Sequence, residues 1–474
     1  MALSGTSREQ RAPAAARRRR WTPDGLLAGA AAAVALAVAA LRPLVDIDVF
    51  WHVIVGEEIL SGTPVAEAGR GWSIAPVPDT WVSTQWLTEV VFALLHRLDG
   101  WTGLLWWRYL TVVLVLVVLA LTTFRGRSVR AGAWPFLLGA CAVAGFAQER
   151  SAQVTYVLAP LVGWLMVRAL REGRLPRWWA VALVVVVWAN MHGGWLVAAL
   201  AAAAVAAGRW LDHGLGDKVA RRALMLVPVV LLAACVTPAG PPNVLSAWLF
   251  RQAASVSIVE WQPVVPSSLA DGGWLWAATA AVWAAVWAFG LTRPTCSEAF
   301  VVLAWLGFGL LAWRNVPVVV LVLAPVLAPR LAEAWPSASV AAQGGPTRWA
   351  TLRPLDRVGL VLAAAAAVVP MPFVGRAGEI PADQPVLLAD VIAAMPGPVR
   401  VLNDYNVAGV LLWCAGVGHV QVAVDGRTER HGADYLARYR DLTTLRGDWQ
   451  RTLAELAPDV AVLANTSALA AELR

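Results

Sequence analysis

Charge is scarce in this chain: only 15% of its residues are Asp, Glu, Lys or Arg. A soluble domain carries about a quarter, so much of the chain is not built for a hydrated surface. Cysteine is scarce too. Cys141 and Cys235 sit in apolar runs, Cys296 in a loop and Cys414 in the tail. No pair has metal-ligand spacing, which argues against both a zinc centre and a disulfide framework. P-loop, dinucleotide fingerprint, zinc motif and nucleophile elbow are all missing, so ATP-driven and redox chemistry lose support. No basic groove interleaved with aromatics exists, and the net charge of +7 therefore does not indicate a nucleic-acid partner. There is no internal repeat.

What remains is apolar. Hydrophobic residues make up 59% of the chain, and the mean hydropathy is +0.61. Tryptophan dominates the aromatics, with 27 Trp against five Tyr. Its ring and N–H suit the headgroup level of a membrane. Apolar runs fall near 25–42, 102–124, 131–147, 153–170, 178–191, 194–211, 223–237, 274–291, 299–313, 316–329 and 356–372. A span needs about 20 helical residues, fewer with snorkelling flanks. The runs predict about eleven spans. The stretch 178–211 divides at Asn190-Met191-His192-Gly193-Gly194, because polar groups and paired glycines are costly in mid-bilayer and cheap at a helix–helix turn. Arg17 to Arg20 precede the first run, but no small-x-small cleavage site follows it, so it reads as a retained span.

Arginine alternates between connections. One set holds Arg8, Arg11, Arg17 to Arg20, Arg125, Arg127, Arg130, Arg168, Arg171, Arg174, Arg177, Arg209, Lys218, Arg221, Arg222 and Arg293, and runs on through Arg330 to Arg357. The other keeps only scattered arginines such as Arg42, Arg70, Arg97, Arg150, Arg251 and Arg314. The positive-inside rule then puts the N-terminus in the cytoplasm, and an odd span count puts the tail outside. The expected organisation is a basic N-terminus over 1–24, a membrane module over 25–373 with outer loops 43–100 and 237–273, and a tail domain over 374–474. Within the loops, Thr84 to Leu98 and Asn243 to Glu260 read as amphipathic helices lying in the interface. Residues 336–346 form a Ser/Gly/Pro-rich linker. In the tail, Val399 to Leu402, Val420 to Val424 and Asp459 to Leu463 read as strands. Leu436 to Leu445 and Trp449 to Leu456 read as helices. The expectation is a small α/β domain with a parallel or mixed sheet.

Chemistry concentrates at the outer ends of the runs. Asp46 and Asp48, in Asp46-Ile47-Asp48-Val49-Phe50-Trp51-His52, follow the first span directly. Such a carboxylate suits proton abstraction from a sugar or lipid hydroxyl, or a divalent ion held on a phosphate; a hydrated loop end would look the same. His192 can hydrogen-bond a phosphate or an acceptor, and Gly193 and Gly194 allow close approach; a polar turn would also use them. Glu260-Trp261 offers an acid beside a stacking ring. Arg314, before Asn315, suits a phosphate because its guanidinium is planar and always charged, although a snorkelling arginine has the same address. Gln148-Glu149-Arg150 forms a similar polar turn. In the tail, Asn403-Asp404-Tyr405-Asn406 and Asp425-Gly426-Arg427-Thr428 follow strands, where open α/β sheets bind ligands and where turn chemistry also favours these residues.

In order, Asp46-x-Asp48-x-Phe50-Trp51-His52, Gln85-Trp86-Leu87-x-Glu89, Asn190-x-His192-Gly193, Thr237-Pro238-x-Gly240, Glu260-Trp261, Arg314-Asn315 and Asp425-Gly426-Arg427 resemble a group of bacterial multi-pass membrane proteins of the GT-C glycosyltransferase type. The resemblance runs from about residue 25 to 474. It implies transfer of a sugar from a polyprenyl-phosphate donor to a glycan, lipid or protein acceptor at the outer face of the plasma membrane, with inversion. It implies a base at Asp46 or Asp48, a phosphate partner in His192 and Arg314, and a sugar flanked by Trp51 and Trp261. Substrate contacts are implied at His52, Gln85, Glu89, Asn190, Glu260, Asp425 and Arg427. No cofactor is implied beyond a divalent ion. In the first loop the sequence departs from the group, which often has an Asp after a Gly/Pro turn where only Glu67 follows Ser61-Gly62-Thr63-Pro64. A glycan ligase or polymerase, a flippase or transporter, and a non-catalytic envelope assembly protein are the competing readings.

Overall fold

The computed structural model describes residues 23–44, 46–78, 80–245, 252, 258–266, 273–289, 293–334, 354–368, 374, 380 and 384–474. The basic segment from Arg8 to Arg20, the 336–346 linker and most of the expected Asn243 to Glu260 helix lie outside them.

The chain is mostly helical. Along the membrane module run α1 (Asp24–Leu41), α2 (Val49–Leu60), α3 (Trp86–Phe124), α4 (Val129–Phe146), α5 (Ala152–Glu172), α6 (Trp178–Met191), α7 (Leu196–His213), α8 (Lys218–Ala234), α9 (Gly273–Ala288), α10 (Cys296–Leu310), α11 (Val316–Ala334) and α12 (Pro354–Ala366). Among the described residues, six helical segments are long and apolar enough to cross a membrane: Asp24–Leu41, Trp86–Phe124, Val129–Phe146, Ala152–Glu172, Gly193–His213 and Trp313–Ala334. The expectation of eleven spans is corrected here. The remaining runs also fold as helices, but α6, α9 and α10 have 14, 16 and 15 residues. At 1.5 Å per residue such helices fall short of a hydrocarbon core about 30 Å thick.

The long Val/Leu/Pro-rich α11 is the axis of the bundle, with 89% of its span buried. Helix α5 approaches it very closely at Gly163, where an added Cβ would lie 2.0 Å from the Val322 carbonyl oxygen. Helix α3 bends at Asp99-Gly100, Gly100 taking φ +55°. The expected amphipathic segment Thr84 to Leu98 is the arm before this bend, and it packs Thr88, Glu89, Phe92 and Ala93 inward.

The tail carries three short strands, β1 (Val399–Asn403), β2 (Val420–Val422) and β3 (Val460–Val462), in the parallel order β2-β1-β3. Helices Thr428–Thr443 and Trp449–Leu456 accompany them. The edge strand β2 is not left bare. Val422 donates its N–H to Trp72 O at 2.8 Å and accepts from Ile74 N at 3.0 Å, so the loop between α2 and α3 extends the tail sheet. Trp51, Ile54, Trp72 and Trp81 share one apolar cluster with Val401, Leu411 and Val422. The tail therefore sits on the outer loop, at the end of the bundle where α1 finishes.

Candidate functional site

The site begins with a helix terminus. Pro43 stops α1, leaving its last carbonyls to be satisfied from outside. Arg108 does so, its Nε donating to Ala39 O and its Nη1 to Pro43 O, each at 2.9 Å. The same guanidinium pairs with Glu149, and both side chains are fully buried. Glu149 in turn accepts the Asp46 N–H at 3.3 Å. A buried ion pair thus fixes where the chain leaves α1, and with it the two aspartates.

Those aspartates have different surroundings. Asp46 is 3% exposed. Its Oδ2 accepts from Arg150 Nε at 2.7 Å and its Oδ1 from the Asp48 N–H at 3.1 Å. Asp48 begins α2 and accepts from Trp51 Nε1 at 3.0 Å. Burial, and then the negative charge of Asp46, push the Asp48 carboxyl above the usual aspartate range against the opposing pull of Arg150 and His52. Both Asp46 oxygens are engaged, whereas Asp48 keeps, among the described residues, a single side-chain partner in Trp51 and has a carboxyl raised by burial.

A cationic group adjoins them, joined to Asp46 through Arg150. Arg150 Nη1 reaches both Glu260 oxygens, at 3.0 and 2.9 Å. Arg314 Nη1 lies 3.6 Å from the same carboxylate, and its guanidinium stacks 4.3 Å over Trp261. Burial would raise the Glu260 carboxyl, but Arg314 and Arg150 overcome it and hold it below the usual glutamate range. His192 occupies the turn before α7. Its Nδ1 accepts the Gly194 N–H at 3.0 Å and lies 2.7 Å from Thr155 Oγ1, which itself accepts from Trp188 Nε1 at 2.9 Å. With Nδ1 accepting, the proton belongs on Nε2. Burial, helped by Arg314, lowers the His192 pKa to about 3, so the ring is a neutral donor at ordinary pH.

Asp46, Asp48, Trp51, His52, Gln85, Arg150, His192, Glu260, Trp261 and Arg314 all line one cavity of about 300 Å³. Residues expected on loops after the first, sixth and tenth helices therefore meet. That volume is at the small end for a ligand pocket. Leu196, Val197, Phe308 and Val318 give it an apolar side.

Four other expected contacts lie off the cavity lining. Glu89 is buried and pairs with His52 Nδ1 at 3.1 Å, bracing α2 against α3. Asn190 accepts from Trp86 Nε1 at 2.6 Å and donates to the Val186 and Val236 carbonyls, tying three segments together. Asp425 and Arg427 are fully buried and paired at 2.6 Å. Arg427 also donates to Gly69 O and lies 4.5 Å over Trp72 and 5.3 Å over Trp81, so it fastens the tail to the outer loop. Their turn is still part of the site, because Gly426, Thr428 and Glu429, with Tyr405, close the cavity on the tail side. A Cβ at Gly426 would lie 2.1 Å from Asp48 Oδ1 and 2.4 Å from Trp51 Nε1, so any side chain there would displace both groups. Glu429 accepts from Trp81 Nε1 at 2.8 Å, and burial pushes its carboxyl up.

The sequence alone gives Arg150 too little weight, marks Tyr405 only as part of a strand-end turn, and does not single out Ser151, Tyr156 or Glu429. Arg150 had a usable signal, since it sits between two apolar runs as Arg314 does. Tyr405 had its strand-end position and Glu429 had no signal, and only the folding of the tail onto the loop brings either to the aspartates. Among the described residues no group of three or more His, Cys, Asp or Glu side chains is placed to hold a metal ion. No protein-family profile matches the chain, and no curated protein matches it.

Proposed function

We propose that this chain is a membrane glycosyltransferase of the GT-C type, moving a sugar from a polyprenyl-phosphate donor to a hydroxyl acceptor. The observation that carries the reading is one cavity that brings the Asp48 carboxylate, raised by burial, together with Arg150, Arg314 and a neutral His192 donor. Asp48 takes the proton of the acceptor hydroxyl as that oxygen bonds to the anomeric carbon from the face opposite the phosphate. The bond from carbon to phosphate oxygen breaks, and the lipid phosphate leaves with the electron pair. Negative charge grows on that oxygen in the transition state, where Arg314, Arg150 and the His192 Nε2–H meet it already oriented. Attack from the opposite face inverts the anomeric centre. Trp51 and Trp261 flank the sugar ring, and the apolar side at Leu196, Val197, Phe308 and Val318 takes the first units of the lipid.

Asp46 is not the base in this scheme. Its oxygens are held by Arg150 and the Asp48 N–H, so its part is to place Arg150. The arginine asymmetry supports a cytoplasmic N-terminus in a bacterial plasma membrane. Packing of the tail beyond the C-terminal end of α1 supports an extracytoplasmic tail. The test is transfer from a polyprenyl-phosphate sugar by purified chain in nanodiscs. A positioned general base contributes about 10²–10⁴-fold, so Asp48→Asn should lose at least about 100-fold of the wild-type rate. A fully active Asp48→Asn protein overturns the assignment.

A further inference from the structure

Glu260 has no step in the chemistry above, yet it lies at the centre of the cationic group. Its two oxygens meet Arg150 Nη1 at 3.0 and 2.9 Å, and Arg314 Nη1 is 3.6 Å away. A carboxylate between two guanidinium groups has the charge and the oxygen geometry of a bound phosphate, since arginine's donor fork matches both anions. Both arginines also have a second anchor. Arg150 is fastened to Asp46 through Nε at 2.7 Å, and Arg314 rests on the Trp261 ring. Departure of the carboxylate would therefore leave two cations held in place, facing the cavity. The Glu260 side chain is 28% exposed, so it has room to turn into the cavity. Resting on the proposed role of the cationic group, we infer that Glu260 occupies the oxyanion site of the donor phosphate in the ligand-free protein, and that the phosphate displaces it on binding.

An internal carboxylate of this kind lowers the apparent affinity for the lipid phosphate, because only molecules with Glu260 displaced are competent to bind. It also keeps an anion between two half-buried arginines while no ligand is bound. A Glu260 that instead held a sugar hydroxyl would have no such effect on a ligand lacking sugar.

The test uses farnesyl monophosphate, a short polyprenyl phosphate without sugar, titrated into the full chain in nanodiscs. Wild type should bind it, and Arg314→Ala should weaken it. Glu260→Gln keeps the shape and removes the charge, and should tighten binding about tenfold, which is 1.4 kcal/mol. In Glu260→Gln/Arg314→Ala the gain should fall below about twofold, because two groups at one site are not additive. Neutral farnesol should bind wild type and Glu260→Gln alike. Glu260→Ala serves as the second variant should the glutamine protein fail to fold. Equal or weaker binding by the Glu260 variants, with Arg314→Ala still weakened, overturns the placeholder alone. A gain that persists without Arg314 also overturns it, since a remote field effect would then suffice. Binding indifferent to both positions, or absent from every variant, overturns the phosphate reading of the cationic group and the inference with it.

Discussion

Removing Arg150 separates its structural work from its chemical work. Asp46 is fully buried at its side chain, and Arg150 pairs with it at 2.7 Å. In Arg150→Met the carboxylate keeps the Asp48 N–H but loses the one cation paired with it among the described residues. Breaking a buried pair from one side costs about 3–5 kcal/mol. Arg150 is 28% exposed to the cavity, so some water screens the charge left behind and the low end applies. Glu260 is left with Arg314 at 3.6 Å, a partly exposed contact worth under about 1 kcal/mol. The expected loss is therefore about 3 kcal/mol. Arg150→Met/Asp46→Asn removes both charges and should recover about 2 kcal/mol of that loss, the coupling of groups in direct contact. Unfolding of the four proteins in mixed micelles at neutral pH measures the cycle. An Arg150→Met protein within about 0.5 kcal/mol of wild type, or a double variant no better than the sum of the singles, refutes the view that this pair anchors the site.

The pH profile of transfer should follow Asp48. Its carboxyl is raised and must be ionised to act, so activity should fall as pH drops through a midpoint above the usual aspartate value, and His192, its pKa lowered to about 3 by burial, should add no limb near the ordinary histidine value. A midpoint at or below the normal aspartate value would contradict this. Gly426→Ala sets a methyl 2.1 Å from Asp48 Oδ1 and should cut turnover at least about tenfold without unfolding the tail; unchanged turnover would mean that the tail turn does not shape the site. Arg427→Ala leaves Asp425 buried without its arginine and should cost about 3–5 kcal/mol, seen as faster proteolysis between the bundle and the tail. Equal protease resistance would remove Arg427 from the fastening of the tail.

The apolar runs made the helices readable, because a run of Val, Leu and Ala has few other ways to satisfy its backbone in a membrane. Which helices cross was less readable. Hydropathy marks where a helix is apolar, while crossing also depends on length, and the 14-residue α6 is apolar without being long. Asp48, His192, Glu260 and Arg314 were legible as polar residues stranded at the ends of apolar runs, an arrangement with a cost that needs a reason. Their division of labour was not. Asp46 and Asp48 look alike in sequence, and only Arg150, 104 positions from Asp46, distinguishes anchor from base. Arg427 was visible as a strand-end residue but not as a fastener, since its acceptor, Gly69, is 358 positions away. Strand β2 was legible from its valines, whereas its pairing with the Trp72–Ile74 segment depends on chain ends meeting across the whole fold.

The most direct measurement is a structure of the full chain in nanodiscs with a non-hydrolysable phosphonate analogue of a polyprenyl-phosphate sugar. The account predicts the phosphonate between Arg150, Arg314 and the His192 Nε2–H, the sugar between Trp51 and Trp261, and the lipid leaving past Leu196 and Val318. It also predicts an anomeric carbon facing Asp48, with space for one hydroxyl between them. A ligand bound elsewhere, or one with its phosphonate on the Asp48 side, would contradict the account.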